Sequence, residues 1–250
     1  MQDYTFKNLI VNFPSQFVIH VEFNRPTKLN AFDQTSWREL HDCFKQIEID
    51  SEVRAVVISG VGKFFNAGID RRKDSSRRFF NIRRSLIVLQ DSISSLELCD
   101  KPVIAAIHNG CIGAGVDLIT ACDIRYCSQD AFFSVKEVDL GLAADIGTLQ
   151  RFPKVVGNNS IVRELCLTGR NFSSTEALDI GLVNKIFQTK EETITGALKT
   201  ASIIASKSPT ATLSLAYTAA WNSAVLNGSE DLMEAFNATM EKRKPKFSKL

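Results

Sequence analysis

The sequence lacks the features that mark several large classes of protein. It contains no run of about 18 consecutive apolar residues, so we expect no transmembrane helix. The formal net charge is only +2, which gives no electrostatic reason to expect nucleic-acid binding. Three Tyr and two Trp stand beside 17 Phe, which favours a Phe-packed core over a surface of base-stacking aromatics. With 250 residues and 44% hydrophobic content, the chain is predicted to form one large globular domain, alone or with a small appendage.

Cysteine and histidine also lack the spacing of a metal site. None of the six cysteines forms a C-x-x-C pair, and the only histidines are His20, His41 and His108. We therefore predict no bound metal. The cysteines are expected to be buried, reduced thiols, as in a reducing compartment. They are Cys43, Cys99, Cys111, Cys122, Cys127 and Cys166.

Strand-like and helix-like patterns alternate along the first part of the chain, and only helical patterns follow. The predicted strands are residues 17–24, 54–60, 103–108, 124–127 and 131–135. The predicted helices are residues 30–49, 71–98, 113–122, 160–168, 173–180, 190–207 and 209–240. Asp33 is the expected N-cap of the first helix. This order predicts an α/β core over residues 1–195 and a C-terminal helical region over residues 196–250.

Two loops rich in small residues each follow a predicted buried strand. The first is residues 64–70, FFNAGID, and the second is residues 109–115, NGCIGAG. Either loop alone is common and could be an ordinary turn. Together they could aim one backbone N–H each at the same oxygen atom, which would form an oxyanion hole. The second N–H would lie at the start of a helix, where the helix dipole favours negative charge.

Three carboxylates lie in an apolar stretch that begins at the second loop: Asp117, Glu137 and Asp145. Burial raises the pKa of a carboxyl group toward the range useful for proton transfer. Each also has a structural interpretation. Asp117 suits the first turn of a helix for its interaction with the dipole, and Asp145 could be the N-cap of the next helix. Their shared stretch favours an enzyme that holds a carbonyl oxyanion and moves protons beside it.

From about residue 5 to residue 240 the chain resembles the enoyl-CoA hydratase/isomerase (crotonase) superfamily. Two segments carry the resemblance: FNAGID at 65–70, and KPVIAAIH at 101–108, which continues into GAGVDL at 113–118. Within the superfamily, VKEVDLGLAADIGTLQR at 135–151 resembles the Δ3,5-Δ2,4-dienoyl-CoA isomerases. The resemblance implies a fold of stacked ββα turns with C-terminal helices that build a trimer or a dimer of trimers. It also implies an acyl-CoA substrate, with no metal or redox cofactor.

The resemblance implies a role for each candidate residue. The N–H groups of Ile69 and Ala114 would bind the thioester oxygen. Glu137 would exchange a proton at C2 and Asp145 at C6, while Asp117 would tune or position that pair. The loop that would line the bent acyl-CoA consists of Asn66, Ala67, Gly68, Ile69 and Asp70.

Departures from the family pattern leave other activities open. Ala114 and Asn109 each stand where glycine is common in the family. Hydratases of the superfamily hold one water between two glutamates, and the first of those positions is Asp117 here. Monoene Δ3-Δ2 isomerases generally use one acid near the position of Glu137, so Asp145 is the discriminating residue. A non-catalytic acyl-CoA-binding or scaffold protein is the alternative outside the enzymes.

Two basic segments suggest further interactions. The tripeptide Ser248-Lys249-Leu250 follows the basic, Pro-containing segment 242–246, which is expected to be extended and exposed. Terminal S-K-L is recognised by the peroxisomal import receptor, so we expect a peroxisomal location. The basic residues between 71 and 84 could form a solvated helix face or bind CoA phosphates through Arg guanidinium groups.

Overall fold

The computed structural model describes residues 3–70, 82–216, 234, 237–238 and 240–247. Strands and helices alternate as the sequence predicts, although several strands are short. The strands are β1 (Leu9–Ser15), β2 (Val18–Phe23), β3 (Ala55–Gly60), β4 (Val103–Ile107), β5 (Gly110–Ile112), β6 (Ile124–Ser128), β7 (Phe132–Ser134), β8 (Phe172–Ser173) and β9 (Lys185–Phe187). The predictions for β2, β3, β4, β6 and β7 are confirmed to within two residues at each end. Strands β1, β5, β8 and β9 were not predicted.

The helices are α1 (Gln34–Ile49), α2 (Ile82–Leu98), α3 (Ala114–Thr120), α4 (Thr148–Val156), α5 (Asn159–Thr168), α6 (Ser174–Asp179), α7 (Lys190–Ala205) and α8 (Pro209–Ala216). Short 3-10 helices cover Pro26–Lys28 and Lys136–Leu140. None of the helices in the described ranges is both long and apolar enough to cross a membrane. The first helix was predicted from residue 30, which is wrong because Leu29 and Asn30 have φ angles of 50° and 57°. Its predicted N-cap is confirmed, since Asp33 accepts the Ser36 N–H at 3.0 Å.

Two sheets are linked by stacked ββα turns. The larger sheet has the order β1-β2-β3-β4-β6-β9, and all its pairings are parallel except β1 with β2. The smaller sheet has the order β5-β7-β8, so that β4 and β6 in one sheet are each followed by a strand in the other. An isolated bridge joins Asn66 to Cys111 of β5, and a second isolated bridge joins Phe32 to Ile69. This topology confirms the predicted α/β fold.

Helix α7 packs on the face of the large sheet opposite α1. Its Ala197, Ala201 and Ala205 are buried at a spacing of four residues, against an apolar cluster that includes Val57 and Ile104. Small side chains let the helix backbone approach the sheet closely. The predicted boundary between residues 195 and 196 therefore falls inside a helix that belongs to the core. A separate C-terminal unit stays a prediction, because residues 217–233 lie outside the described part.

The six cysteines are free thiols. Five of them are buried, as predicted, and Cys166 on α5 is partly exposed. Burial raises the pKa of the Cys166 thiol to about 11, and the charges of Glu137 and Asp117 add to the rise. Helix α5 packs against the 3-10 helix that carries Glu137 and against α4.

Candidate active site

The second small-residue loop joins β5 to α3. Gly113 has a φ of 55°, which favours glycine, and α3 begins at the next residue, Ala114. Among the described residues, the Ala114 N–H donates to no acceptor, as expected for a group at the start of a helix. Asn109 has a φ of 47°, and asparagine is one of the few residues that tolerate this region. The asparagine at this position therefore preserves the turn.

The first loop presents a second free N–H. Phe32 N–H donates to Gly68 O at 2.8 Å, and Asp70 N–H donates to Phe32 O at 2.9 Å. Because these two bonds flank Ile69 in a parallel bridge, the N–H of Ile69 points away from Phe32. Within the described ranges it donates to no acceptor. Ile69 is also 38% exposed, so its backbone lies close to the surface.

The two loops lie against each other. Asn66 N–H donates to Gly110 O at 3.1 Å, and Ile112 N–H donates to Asn66 O at 2.9 Å. A Cβ atom at Gly68 would lie 3.7 Å from the Ala114 nitrogen. The structure therefore brings together the two loops that were predicted to form an oxyanion hole.

Glu137 lies beside these loops on the 3-10 helix Lys136–Leu140. A Cβ atom at Gly113 would lie 3.0 Å from Glu137 Oε1, so the carboxyl group contacts the turn directly. Burial raises the pKa of Glu137 to about 7, and the charges of Asp117 and Asp145 contribute to the rise. Its Oε2 is buried and has no hydrogen-bond partner among the described residues. A carboxyl group with a pKa near 7 is suited to accept and release a proton at neutral pH.

Asp117 is the most deeply buried of the three carboxylates. It is 0% exposed, and its Oδ1 accepts a hydrogen bond from the Thr148 N–H at 2.5 Å. Burial raises the pKa of Asp117 to about 6, although hydrogen bonding to Thr148 opposes that rise. Its Oδ2 is buried and has no hydrogen-bond partner among the described residues.

Asp145 differs from the other two carboxylates because its side chain is exposed. It lines an open cavity of about 330 Å³ between α2 and α4. Gln90 on α2 donates from Nε2 to the Asp145 carbonyl oxygen at 2.7 Å. The alternative in which Asp145 is the N-cap of the following helix is wrong, since the N-cap of α4 is Gly147. The three carboxylates are nevertheless close enough for the charge of Asp145 to raise the pKa of both Glu137 and Asp117.

Other members of the first loop make structural contacts. Asn66 is 0% exposed, donates from Nδ2 to Asn30 O at 2.7 Å, and accepts the Gly68 N–H on Oδ1 at 2.8 Å. Asp70 forms an ion pair with Arg25 at 3.0 Å. Ala67 is partly buried and donates its N–H to Leu29 O at 3.1 Å. These contacts hold the loop on its buried side. Ile69 is the most exposed residue of the loop.

Some of the predicted interaction sites fall outside the described residues. Two residues that support the carboxylates were not predicted. Residues 71–81, which hold much of the basic segment, and Ser248-Lys249-Leu250 are not described. The preceding segment 242–246 is exposed, as predicted. It is not extended throughout, because it begins in a turn at Lys242, which has a φ of 54°. Gln90 and Thr148 support the carboxylates, yet neither has a local sequence pattern that identifies this role.

Comparisons with known proteins identify the family of this chain. The family model described as enoyl-CoA hydratase/isomerase matches residues 14–249. A Homo sapiens protein named Delta(3,5)-Delta(2,4)-dienoyl-CoA isomerase, mitochondrial, is 46% identical over 99% of this chain and 84% of its own length. An Arabidopsis thaliana protein named Delta(3,5)-Delta(2,4)-dienoyl-CoA isomerase, peroxisomal, is 43% identical over 100% of this chain and 99% of its own.

The fold is also found among solved structures. The crystal structure of an enoyl-CoA hydratase from Bacillus anthracis matches with a TM-score of 0.89 and 26% sequence identity, covering 98% of this chain and 100% of that one. The sequence family and the fold thus agree over almost the whole chain. This chain belongs to the enoyl-CoA hydratase/isomerase family, within the crotonase superfamily.

Proposed function

We propose that this protein is a Δ3,5-Δ2,4-dienoyl-CoA isomerase. The observation that carries the proposal is the contact of the Glu137 carboxyl group with the turn at Gly113. This turn lies against the loop of Ile69, and neither the Ile69 N–H nor the Ala114 N–H has an acceptor among the described residues. A second carboxylate, Asp145, lines an open cavity between α2 and α4, and its charge contributes to the raised pKa of Glu137. Relatives 43% and 46% identical to this chain carry the name of this activity.

The proposed reaction moves one proton and two double bonds. The N–H groups of Ile69 and Ala114 bind the thioester oxygen, and Glu137 removes a proton from C2. The C2–H electron pair forms a C1–C2 double bond while the carbonyl π pair moves onto the thioester oxygen, and the two N–H groups stabilise the negative charge of the resulting dienolate. Asp145 then donates a proton to C6. The carbonyl re-forms, the C1–C2 and C3–C4 pairs shift to C2–C3 and C4–C5, and the C5–C6 pair takes the proton. Proton exchange with solvent restores both carboxyl groups.

The different surroundings of the two acids support different roles in this reaction. Glu137 is partly buried at the oxyanion-hole loops, and its pKa of about 7 suits a base that must release its proton again. Asp145 is exposed on a separate segment, as a donor to a distant carbon would be. Because the protein groups supply both proton transfer and oxyanion stabilisation, we propose that the reaction needs no metal or redox cofactor.

An enoyl-CoA hydratase is the second candidate. Asp117 Oδ2 and Glu137 Oε2 are both buried and have no hydrogen-bond partner among the described residues. Two such oxygens could orient a water for addition to a 2-enoyl-CoA. A Δ3-Δ2-enoyl-CoA isomerase would need Glu137 and would not need Asp145.

The test is an assay of the purified protein with 3,5-dienoyl-CoA, 2-enoyl-CoA and 3-enoyl-CoA. We expect turnover of the diene, formation of the 2,4-diene, and loss of that activity in Asp145→Asn. Near-normal diene turnover by Asp145→Asn would contradict the assigned role of Asp145. Preferred turnover of 2-enoyl-CoA would identify a hydratase, and binding without turnover would identify a non-catalytic acyl-CoA-binding protein.

We also propose a peroxisomal location and a trimer or a dimer of trimers. The S-K-L tripeptide at 248–250 and the printed name of the Arabidopsis thaliana relative support the location, whereas the Homo sapiens relative is named mitochondrial. A fluorescent protein fused to the N-terminus should reach peroxisomes with the full chain and remain outside them when residues 248–250 are deleted. Light scattering after size exclusion tests the oligomer, and a monomer would contradict it.

A further inference from the structure

Helix α4 begins without a capping side chain of its own. Its N-cap, Gly147, has a φ of 151°, in a region that side-chain-bearing residues rarely adopt. The Arg151 guanidinium also occupies the space where a side chain on Gly147 would begin. A capping Ser or Asp therefore does not fit at position 147, and the first N–H groups of α4 need an acceptor from elsewhere in the fold.

Asp117 supplies that acceptor from another helix. Its Oδ1 accepts the N–H of Thr148, the first residue of α4, at 2.5 Å. The two residues are 31 positions apart, so the cap joins α3 to α4 through tertiary structure. A negative charge at this position also interacts favourably with the positive end of the α4 dipole.

The cap fixes one end of a short segment whose other end carries Asp145. At that end, Gln90 on α2 donates to the Asp145 carbonyl oxygen at 2.7 Å. Between the ends, Gly147 packs against Arg151. The Arg151 guanidinium is itself held by Glu97 at 2.6 Å through Nη2. Residues 145–148 are therefore held by groups from α2, α3 and α4.

We propose that Asp117 is a positioning residue that fixes the Asp145 segment by capping α4, and that it exchanges no proton with the substrate. This inference rests on the proposed function, in which Asp145 protonates C6. Two observations support it: Asp117 is 0% exposed, and one of its oxygens is bound to a backbone N–H. Protonation of Asp117 would weaken that charge-assisted hydrogen bond in every catalytic cycle.

Asn and Ala at position 117 separate positioning from proton transfer. The Asn side-chain oxygen can accept the Thr148 N–H but cannot shuttle a proton, and Ala can do neither. We expect Asp117→Ala to lower kcat for 3,5-dienoyl-CoA by about 10²-fold through misplacement of Asp145. Asp117→Asn should recover most of that loss. If Asn lowers kcat as much as Ala, by about 10²- to 10⁴-fold, Asp117 transfers a proton and the proposal is overturned.

Asp123→Ala is the matched control for Asp117→Ala, because Asp123 also accepts a backbone N–H, that of Val103, at 2.7 Å. We expect Asp123→Ala to keep its kcat. A loss in Asp123→Ala equal to that in Asp117→Ala would overturn the specific role of Asp117.

Amide exchange provides a readout that does not depend on turnover. In Asp117→Ala we expect faster exchange of the first amides of α4, and in Asp117→Asn we expect protection close to wild type. Unchanged exchange in Asp117→Ala would overturn the cap itself. Absence of diene turnover in the wild-type protein, with the expected exchange pattern, would instead contradict the proposed function and leave the cap in place.

Discussion

Glu137 Oε1 lies only 3.0 Å from the point that a Cβ atom on Gly113 would occupy. The proposed catalytic base thus lies directly on the turn that precedes α3. Since Gly113 also has a positive φ of 55°, the absence of a side chain there serves both the backbone conformation and the position of the carboxyl group.

Gly113→Ala should therefore reduce activity by more than its effect on stability explains. The methyl group would displace Glu137 from the oxyanion-hole loops, and we expect kcat to fall by about 10²-fold. Gly181→Ala is the matched control, because Gly181 has a φ of 79° and nothing lies within 4 Å of its Cβ position. Both variants place alanine at a positive φ and therefore carry backbone strain, and urea denaturation measures the resulting loss of stability in each. Equal activity in the two variants would show that the contact with Glu137 is unimportant.

Ala114→Pro should remove one donor of the oxyanion hole and leave α3 in place. Ala114 is the first residue of α3, where proline is tolerated and where the N–H has no intrahelical partner. We expect kcat to fall by about 10²- to 10³-fold, as is typical for the loss of one oxyanion-hole donor. Asn159→Pro is the control, since exposed Asn159 is the first residue of α5. Similar kcat values for the two proline variants would contradict the role of the Ala114 N–H.

The elements that could be predicted from sequence are those with a strong local pattern. Strand β3 is a continuous apolar run, and all six of its residues are buried. Helix α1 combines an N-cap at Asp33 with buried Trp37, Leu40 and Phe44 at helical spacing. Strands β5 and β8 span three and two residues, too few for a periodic pattern, and they depend on pairing with β7.

The sequence predicted the individual residues of the site but not the hydrogen bonds that connect them. The small-residue loops and the carboxylates are visible in the sequence, because both residue types have distinctive chemistry. The cap from Asp117 to Thr148 was not predictable, since it joins two helices through tertiary structure. The local sequence offered Asp145 as an alternative N-cap of α4, but the N-cap of that helix is Gly147.

Ser134→Ala should weaken the support of the 3-10 helix that carries Glu137. The buried Ser134 hydroxyl donates to Gly169 O at 2.9 Å, and Lys136 Nζ donates to the same oxygen at 2.9 Å. We expect a loss of about 1 kcal/mol in the free energy of unfolding, together with a reduced kcat. Ser174→Ala, which removes a hydroxyl bond of 2.8 Å to Gln129 O, should lose similar stability and keep its kcat. Urea denaturation and steady-state kinetics measure the two effects, and unchanged kcat in Ser134→Ala would count against this support.

Glu137→Gln should remove part of the pH dependence of stability. The pKa of Glu137 is about 7 in the folded protein against a reference value of 4.5, so the folded state binds more protons between these two pH values. Wild-type stability therefore falls as pH rises through this window, by up to about 3 kcal/mol from this group, because each pH unit contributes about 1.4 kcal/mol. Gln does not titrate, and the stability of Glu137→Gln relative to wild type should increase from pH 4.5 to above pH 7.

Glu176→Gln provides a control of opposite sign for that measurement. Hydrogen bonding to Arg170 lowers the pKa of Glu176, so its stabilising contribution is present at neutral pH and is lost as pH falls through its folded-state pKa. The stability of Glu176→Gln relative to wild type should therefore increase as pH falls, the reverse of Glu137→Gln. Urea denaturation of the three proteins across the pH range gives the comparison. A relative stability of Glu137→Gln that does not change with pH would mean that burial leaves the proton affinity of Glu137 unaltered, and Glu137 would then lack the pKa that suits it to act as the base at C2.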